Sequence, residues 1–185
     1  IGFSTGATMA STICLAAARS QVLLDAGYCL EQEGMFGATT VSVFLGEEAH
    51  TSILSGLRYL GFGERNQVRI PVDGQGRMRP AALQRALAEH TGPGLVICQV
   101  GHIISGDADP VGELADIAHR HGAWCHVDGA FGRWARTVPE WSARSPGVER
   151  ADSWSDDGHK WLQVPYDSGV AIVRHTQAHR RVKDT

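Results

Sequence analysis

Apolar positions along the chain switch between helical spacing and short unbroken runs. Ala7, Met9, Ala10, Ile13, Cys14 and Ala17 recur three and four residues apart, which predicts a small-residue helix over about 7–18, able to pack close to a sheet. Residues 40–45 read as a strand, 52–60 as a helix stopped by Gly61, and 68–72 as a second short strand. Pro80 suits the first turn of the next helix, Leu83, Ala86 and Leu87 form its apolar face, and Gly92-Pro93-Gly94 ends it. Residues 95–100 are almost unbrokenly apolar, as in a strand covered on both faces. Asp109 is expected to cap the following helix and Pro110 to open it, with Val111, Leu114, Ala115 and Ala118 facing inward and Gly122 at its end. Residues 123–127 return as a strand, and 170–173 form the last one. Helices of this length between buried strands predict a single α/β unit, a three-layer sandwich with a mostly parallel sheet between helices.

Composition narrows the function classes. The chain has 185 residues, enough for a proper core, and a formal charge of −3, which gives no reason to expect nucleic acid or an acidic membrane surface as partner. Its one basic cluster, Arg180-Arg181-Val182-Lys183, fits a solvated helix face. Four widely spaced cysteines without a Cys-x-x-Cys pair, three of them among apolar residues, read as core thiols of a reducing, cytoplasmic compartment. No apolar run approaches membrane-spanning length and no secretory signal is visible, while Ile1-Gly2-Phe3 reads as the middle of a domain.

In open parallel sheets ligands sit beyond the carboxyl ends of the strands, and several polar residues fall there. Asp128 directly follows a strand; alone, it is explained as well by a helix cap or a salt bridge to Arg133. The small-residue turn from Phe3 to Thr8 enters a helix and could cradle a phosphate on free N–H groups, although many helices start this way merely as caps. It matches neither a Walker loop nor Gly-x-Gly-x-x-Gly. His50 opens a helix region and, taken singly, is an ordinary loop histidine. His119 and His121 sit two apart on a helix end, and His175 and His179 lack an accompanying glutamate, so no metal site is expected. Lys160 next to Trp161 is a common surface arrangement, but a buried amine there could act as a nucleophile because desolvation lowers its pKa. The five tryptophans are expected in the core, with Trp161 beneath the lysine.

Order and spacing join these weak signals. Gly6-Ala7-Thr8, His50, Gly76-Arg77-Met78, Asp109-Pro110, His126-Val127-Asp128-Gly129-Ala130, Ala151-Asp152-Ser153 and His159-Lys160-Trp161 resemble, in that order, the group II pyridoxal-phosphate-dependent decarboxylases. That family includes the aromatic-L-amino-acid and glutamate decarboxylases. The likeness covers nearly the whole chain, and Lys160 lies 160 − 128 = 32 residues after Asp128. It implies the large cofactor domain of fold-type I enzymes, aspartate-aminotransferase-like, over 1–185. On this resemblance Lys160 holds pyridoxal 5'-phosphate as a Schiff base and Asp128 pairs with the pyridine nitrogen. His50 stacks on one ring face, Ala130 packs against the other, and Gly6, Ala7 and Thr8 bind the phosphate. Asp157 and His159, in the lysine motif, belong to the same cofactor-binding set.

The resemblance further implies decarboxylation of an L-amino acid to its amine in a homodimer. The residues themselves leave open an aminotransferase, aldolase or carbon–carbon lyase, and a catalytically silent binding module. Two departures from the family pattern stand out. The family has a Gly-Thr-Thr-like stretch after the central strand where this chain reads Gly101-His102-Ile103-Ile104-Ser105-Gly106, so either His102 substitutes as a donor to the cofactor or the substrate pocket differs. Family members are also longer, with an N-terminal segment and a small C-terminal domain outside these residues.

Overall fold

Seven strands form one sheet in the computed structural model, which describes residues 1–183. The strands are β1 (Gly2–Ser4), β2 (Ser42–Gly46), β3 (Gln67–Ile70), β4 (Gly94–Gln99), β5 (Trp124–Asp128), β6 (Ser153–Asp157) and β7 (Gly169–Val173). Their order across the sheet is β1-β7-β6-β5-β4-β2-β3, and β7 alone runs antiparallel to its neighbours. The helices are α1 (Ala7–Asp25), α2 (Leu30–Glu33), α3 (Thr51–Tyr59), α4 (Pro80–Ala88), α5 (Val111–Arg120), α6 (Pro139–Ser142), α7 (Gly158–Trp161) and α8 (Thr176–Lys183). The expected three-layer α/β sandwich is therefore present.

Alternation along the strands feeds two cores, one on each face. Val43, Leu45, Leu95, Ile97 and Trp124 point toward α1 and α3, whereas Phe44, Val96, Cys98, Cys125 and Val127 point toward α4 and α5. Side chains two residues apart share a face, so an unbroken apolar run such as 95–98 serves both layers. The helix expected over 7–18 continues to Asp25 because Leu15, Ala18, Val22 and Leu23 extend its buried stripe. At nineteen residues α1 is long and apolar enough to cross a membrane, contrary to the sequence expectation; here it lies across β5, β6 and β7 with half its length buried. Length and composition do not separate a core helix from a span.

One further sequence expectation needs correction. Asp109 does not cap α5. Its buried carboxylate accepts from the Met78 amide at 2.6 Å and the Gln99 amide at 2.7 Å, tying the turn before α4 to β4, and burial pushes its pKa up to about 6. Two histidines outside the expected chemistry, His119 and His175, also converge. Their Nε2 atoms lie 2.9 and 3.3 Å from the two oxygens of Asp152, just ahead of β6.

His126 is fully buried, with Nδ1 2.9 Å from the Ser153 hydroxyl, and burial pushes its pKa down to about 3. A folded-state pKa below the unfolded value of 6.5 means that the neutral ring favours folding above that pH, a contribution lost as pH falls toward 3. Between pH 7 and 5 the loss is about 2 kcal/mol. Urea unfolding of wild type and His126→Gln at the two pH values should show their stability difference changing by that amount against the wild type. A difference independent of pH would mean that the ring takes up its proton inside the fold.

Candidate active site

The parallel strands β2, β4, β5 and β6 all end at one edge of the sheet, and α1 starts at the same edge after β1. A cavity of about 690 Å³ opens there, within the usual range for small-molecule sites. Its wall contains all nine residues expected at the site: Gly6, Ala7, Thr8, His50, Asp128, Ala130, Asp157, His159 and Lys160.

At one end lies the first turn of α1. Gly6 takes φ 154° and ψ 177°, a backbone region open to glycine. Gly169 meets it so closely that a Cβ there would stand 2.3 Å from the Gly6 carbonyl oxygen. The amides of Thr8 and Met9 have no acceptor within the helix, by the geometry of a first turn. The Ala7 amide donates to Asp157 Oδ2 at 3.3 Å, and Asp157 Oδ1 lies 2.5 Å from His159 Nδ1. Tyr166 stacks on His159 with ring centroids 4.1 Å apart.

At the other end stands Asp128, 5% exposed, with Oδ1 accepting from the Ala130 amide at 3.1 Å. Burial pushes its carboxyl up from the ordinary range; the Ala130 amide, His50 and Lys160 pull it back, and Asp157 adds to the rise. A buried carboxylate under that penalty is suited to a cationic partner. Arg133, the alternative partner suggested by sequence, pairs with Asp156 on the other face of β6. His50 is half-buried at the start of α3. The Ser52 amide donates to its Nδ1 at 3.2 Å, and the Ser52 hydroxyl lies 2.7 Å from the same atom. A ring nitrogen that accepts an amide carries no hydrogen, so the N–H is on Nε2.

Lys160 overturns one expectation, for it is exposed rather than buried. It sits on the single turn α7 at the cavity mouth, with Nζ 6.0 Å from the centroid of the Phe131 ring. Trp161 does not lie in the core beneath it; the indole packs edge-on against Phe131 and Trp141, with centroids 6.4 and 5.5 Å apart. The chain has only one other lysine, Lys183 on α8, outside the cavity wall.

Sequence reasoning missed three participants. Gln99 lines the cavity and accepts from the His50 amide at 3.3 Å; its signal was the single polar side chain in an otherwise apolar strand. Ser52 orients His50, and its place two residues on at a helix start was the available cue. Tyr166 offered none. His102 does not approach the cavity as a donor: Gly101 and Ile103 line it, while the His102 ring turns behind the wall.

The residues present fit pyridoxal phosphate. A helix N-terminus for a phosphate, a buried carboxylate suited to a ring cation and a lysine amine face one space of adequate size, the donor set of an enzyme site for that cofactor. The chain belongs to the pyridoxal-dependent decarboxylase family, whose conserved-domain model matches residues 2–183. An aromatic-L-amino-acid decarboxylase of Bacillus atrophaeus is 31% identical over 179 residues, which cover 95% of this chain and 35% of that protein. The mouse cysteine sulfinic acid decarboxylase is 30% identical over 94% of this chain and 35% of its own length. A crystal structure of Oryza sativa TDC with PLP and tryptamine superposes with a TM-score of 0.87 at 32% identity, covering 98% of this chain and 37% of that one. The chain thus spans about a third of the length of the curated relatives it matches.

Proposed function

We propose that the protein is a pyridoxal-phosphate-dependent carboxy-lyase that converts an L-amino acid to its amine and carbon dioxide. The observation that carries this reading is the convergence of Lys160, Asp128, His50 and the α1 N-terminus on one cavity at the strand ends. Family membership and the decarboxylase relatives support it. Bound there, pyridoxal phosphate supplies an electron sink for the bond broken at the substrate's α-carbon.

The chain's own residues have distinct tasks in this reading. Lys160 supplies the amine that holds the cofactor covalently. Asp128, ionised once it faces a cation, keeps a proton on the ring nitrogen. His50, its Nδ1 fixed by Ser52, presents its imidazole to one ring face, and Ala130 leaves room at the other. Gly6, Ala7 and Thr8 receive the phosphate, and Asp157 holds His159 beside it. The apolar wall formed by Met9, Ile103, Phe131 and Val100 reduces hydration of a substrate carboxylate, which favours its departure as carbon dioxide.

A homodimer belongs to the same proposal. Ile103, Ile104, Tyr59 and Tyr166 are each at least 70% exposed in or beside the cavity wall, an apolar surface suited to a second subunit. A cytoplasmic setting is supported by four cysteines present as free thiols, three of them buried. Incubating the holoprotein with a panel of L-amino acids tests the reaction. One equivalent of carbon dioxide per amine is expected from at least one of them. A 2-oxo acid formed without carbon dioxide would point to transamination instead.

A further inference from the structure

His102 lies in a loop and is nonetheless only 6% exposed. Its Nδ1 accepts from the Ile104 amide at 3.3 Å and the Ser105 amide at 3.4 Å. The ring hydrogen therefore sits on Nε2 and points to Glu48 Oε2, 3.1 Å away. Glu48 precedes His50 by two residues in the loop between β2 and α3. The turn before α4 closes over this pair: Gly76 sits at φ +78°, a conformation that favours glycine, and a Cβ there would stand a tight 3.0 Å from both Glu48 Oε2 and His102 Nε2. Ser105 fastens the same turn by donating to the Gln75 carbonyl at 2.7 Å.

Three segments thus meet on one imidazole. In front, Gly101 and Ile103 form cavity wall. Gly101 is pressed against Gly132, whose Cα would lie 2.6 Å from a Cβ at position 101. Behind lies a space of about 10 Å³ bounded by His102, Glu48, Asp109 and Asp128, enough for about one water molecule.

We propose that His102 is a positioning residue for the substrate end of the site. Through Glu48 it clasps the 101–106 loop to the loop carrying His50, and so sets where Ile103 stands relative to the imidazole of His50. This rests on the decarboxylase reading above, because the occupant of that end is taken to be an amino acid. His102 touches neither the cofactor space nor the reacting atoms, so its loss acts on substrate fit and leaves cofactor binding alone.

The test is steady-state decarboxylation by the holoenzyme with Glu48→Ala, His102→Asn, the double variant and Glu48→Gln. Asparagine can still accept the two loop amides but is too short to reach Glu48, and Glu48 is half-exposed, so both single variants should fold. Each should raise KM about 5- to 10-fold, the net worth of one hydrogen bond at a half-exposed site, with kcat within about twofold. The double variant should be no worse than either single one, and Glu48→Gln, which keeps an acceptor oxygen, should stay near wild type. The dissociation constant for pyridoxal phosphate should not move. Multiplying KM effects, an unchanged KM, or a parallel loss of cofactor in an active enzyme overturns the clasp alone. A wild type that releases no carbon dioxide overturns the decarboxylase reading and the substrate role of His102 with it.

Discussion

Replacing Lys160 with alanine is expected to abolish the covalent hold on pyridoxal phosphate and to lower turnover by about 10³-fold or more. The effect should be that large because, among the described residues, no other amine lines the cavity. Lys183, the only other lysine, lies on α8 beside Gly2. Stability should hardly change, since Lys160 is exposed and substitutions of that kind usually fall within about 0.5 kcal/mol. Lys160→Arg separates charge from nucleophilicity: guanidinium keeps the positive charge facing Asp128 but cannot give up its proton. Both variants should lose the visible absorbance of the covalent cofactor. Retention of that absorbance in either would remove Lys160 from its assigned role.

Asp128→Asn is expected to cut turnover by about 10²- to 10³-fold while some cofactor is still held. Asparagine keeps the shape of the side chain and an oxygen for the Ala130 amide, but it cannot hold a proton on a ring nitrogen by charge. The cofactor-free protein should behave differently. There Asp128 is a buried carboxyl pushed up by desolvation, with a single amide donor. The neutral amide should therefore leave the apoprotein as stable as wild type, or slightly more so. Thermal melts of apoprotein, set beside turnover of holoprotein, read both halves. Wild-type turnover in Asp128→Asn would end the electron-sink assignment, and a strongly destabilised apoprotein would mean that the carboxylate is structural.

Much of the layered fold was legible because burial leaves a periodic record. The run 95–98 announced a strand covered on both faces, and Gly61 and Gly122 stand just past the ends of α3 and α5, whereas α4 ends at Ala88, ahead of the expected stop at Gly92. The strand β6 left no such record. Its sequence, Ser153-Trp154-Ser155-Asp156-Asp157, is polar, yet all five residues are buried: Ser11 and Trp124 donate to its hydroxyls, Ala7 and His159 meet Asp157, and Arg133 pairs with one oxygen of Asp156, whose other oxygen has no hydrogen-bond partner among the described residues. Polar satisfaction across the fold has no local period. The same limit explains Asp109, read as a cap from its neighbour Pro110 but in fact satisfied by amides 31 and 10 residues away.

The candidate site was legible to a similar depth. The family resemblance named nine residues, and all nine line the one cavity at the strand ends. Orientation was out of reach. Neither the turn of His102 toward Glu48 nor the choice of Asp156 by Arg133 is encoded in spacing. The exposure of Lys160 depends on what stands over the cavity mouth, a property of the assembled surface rather than of the residues around the lysine.

Borohydride reduction of the holoprotein, followed by peptide mapping, fixes where the cofactor is held. Lys160 and Lys183 fall on separate peptides, so a label on either is told apart. One pyridoxal-phosphate label per chain is predicted, on the peptide that carries Asp157-Gly158-His159-Lys160-Trp161. A label on Lys183, or a fully loaded protein with no label on Lys160, would contradict it.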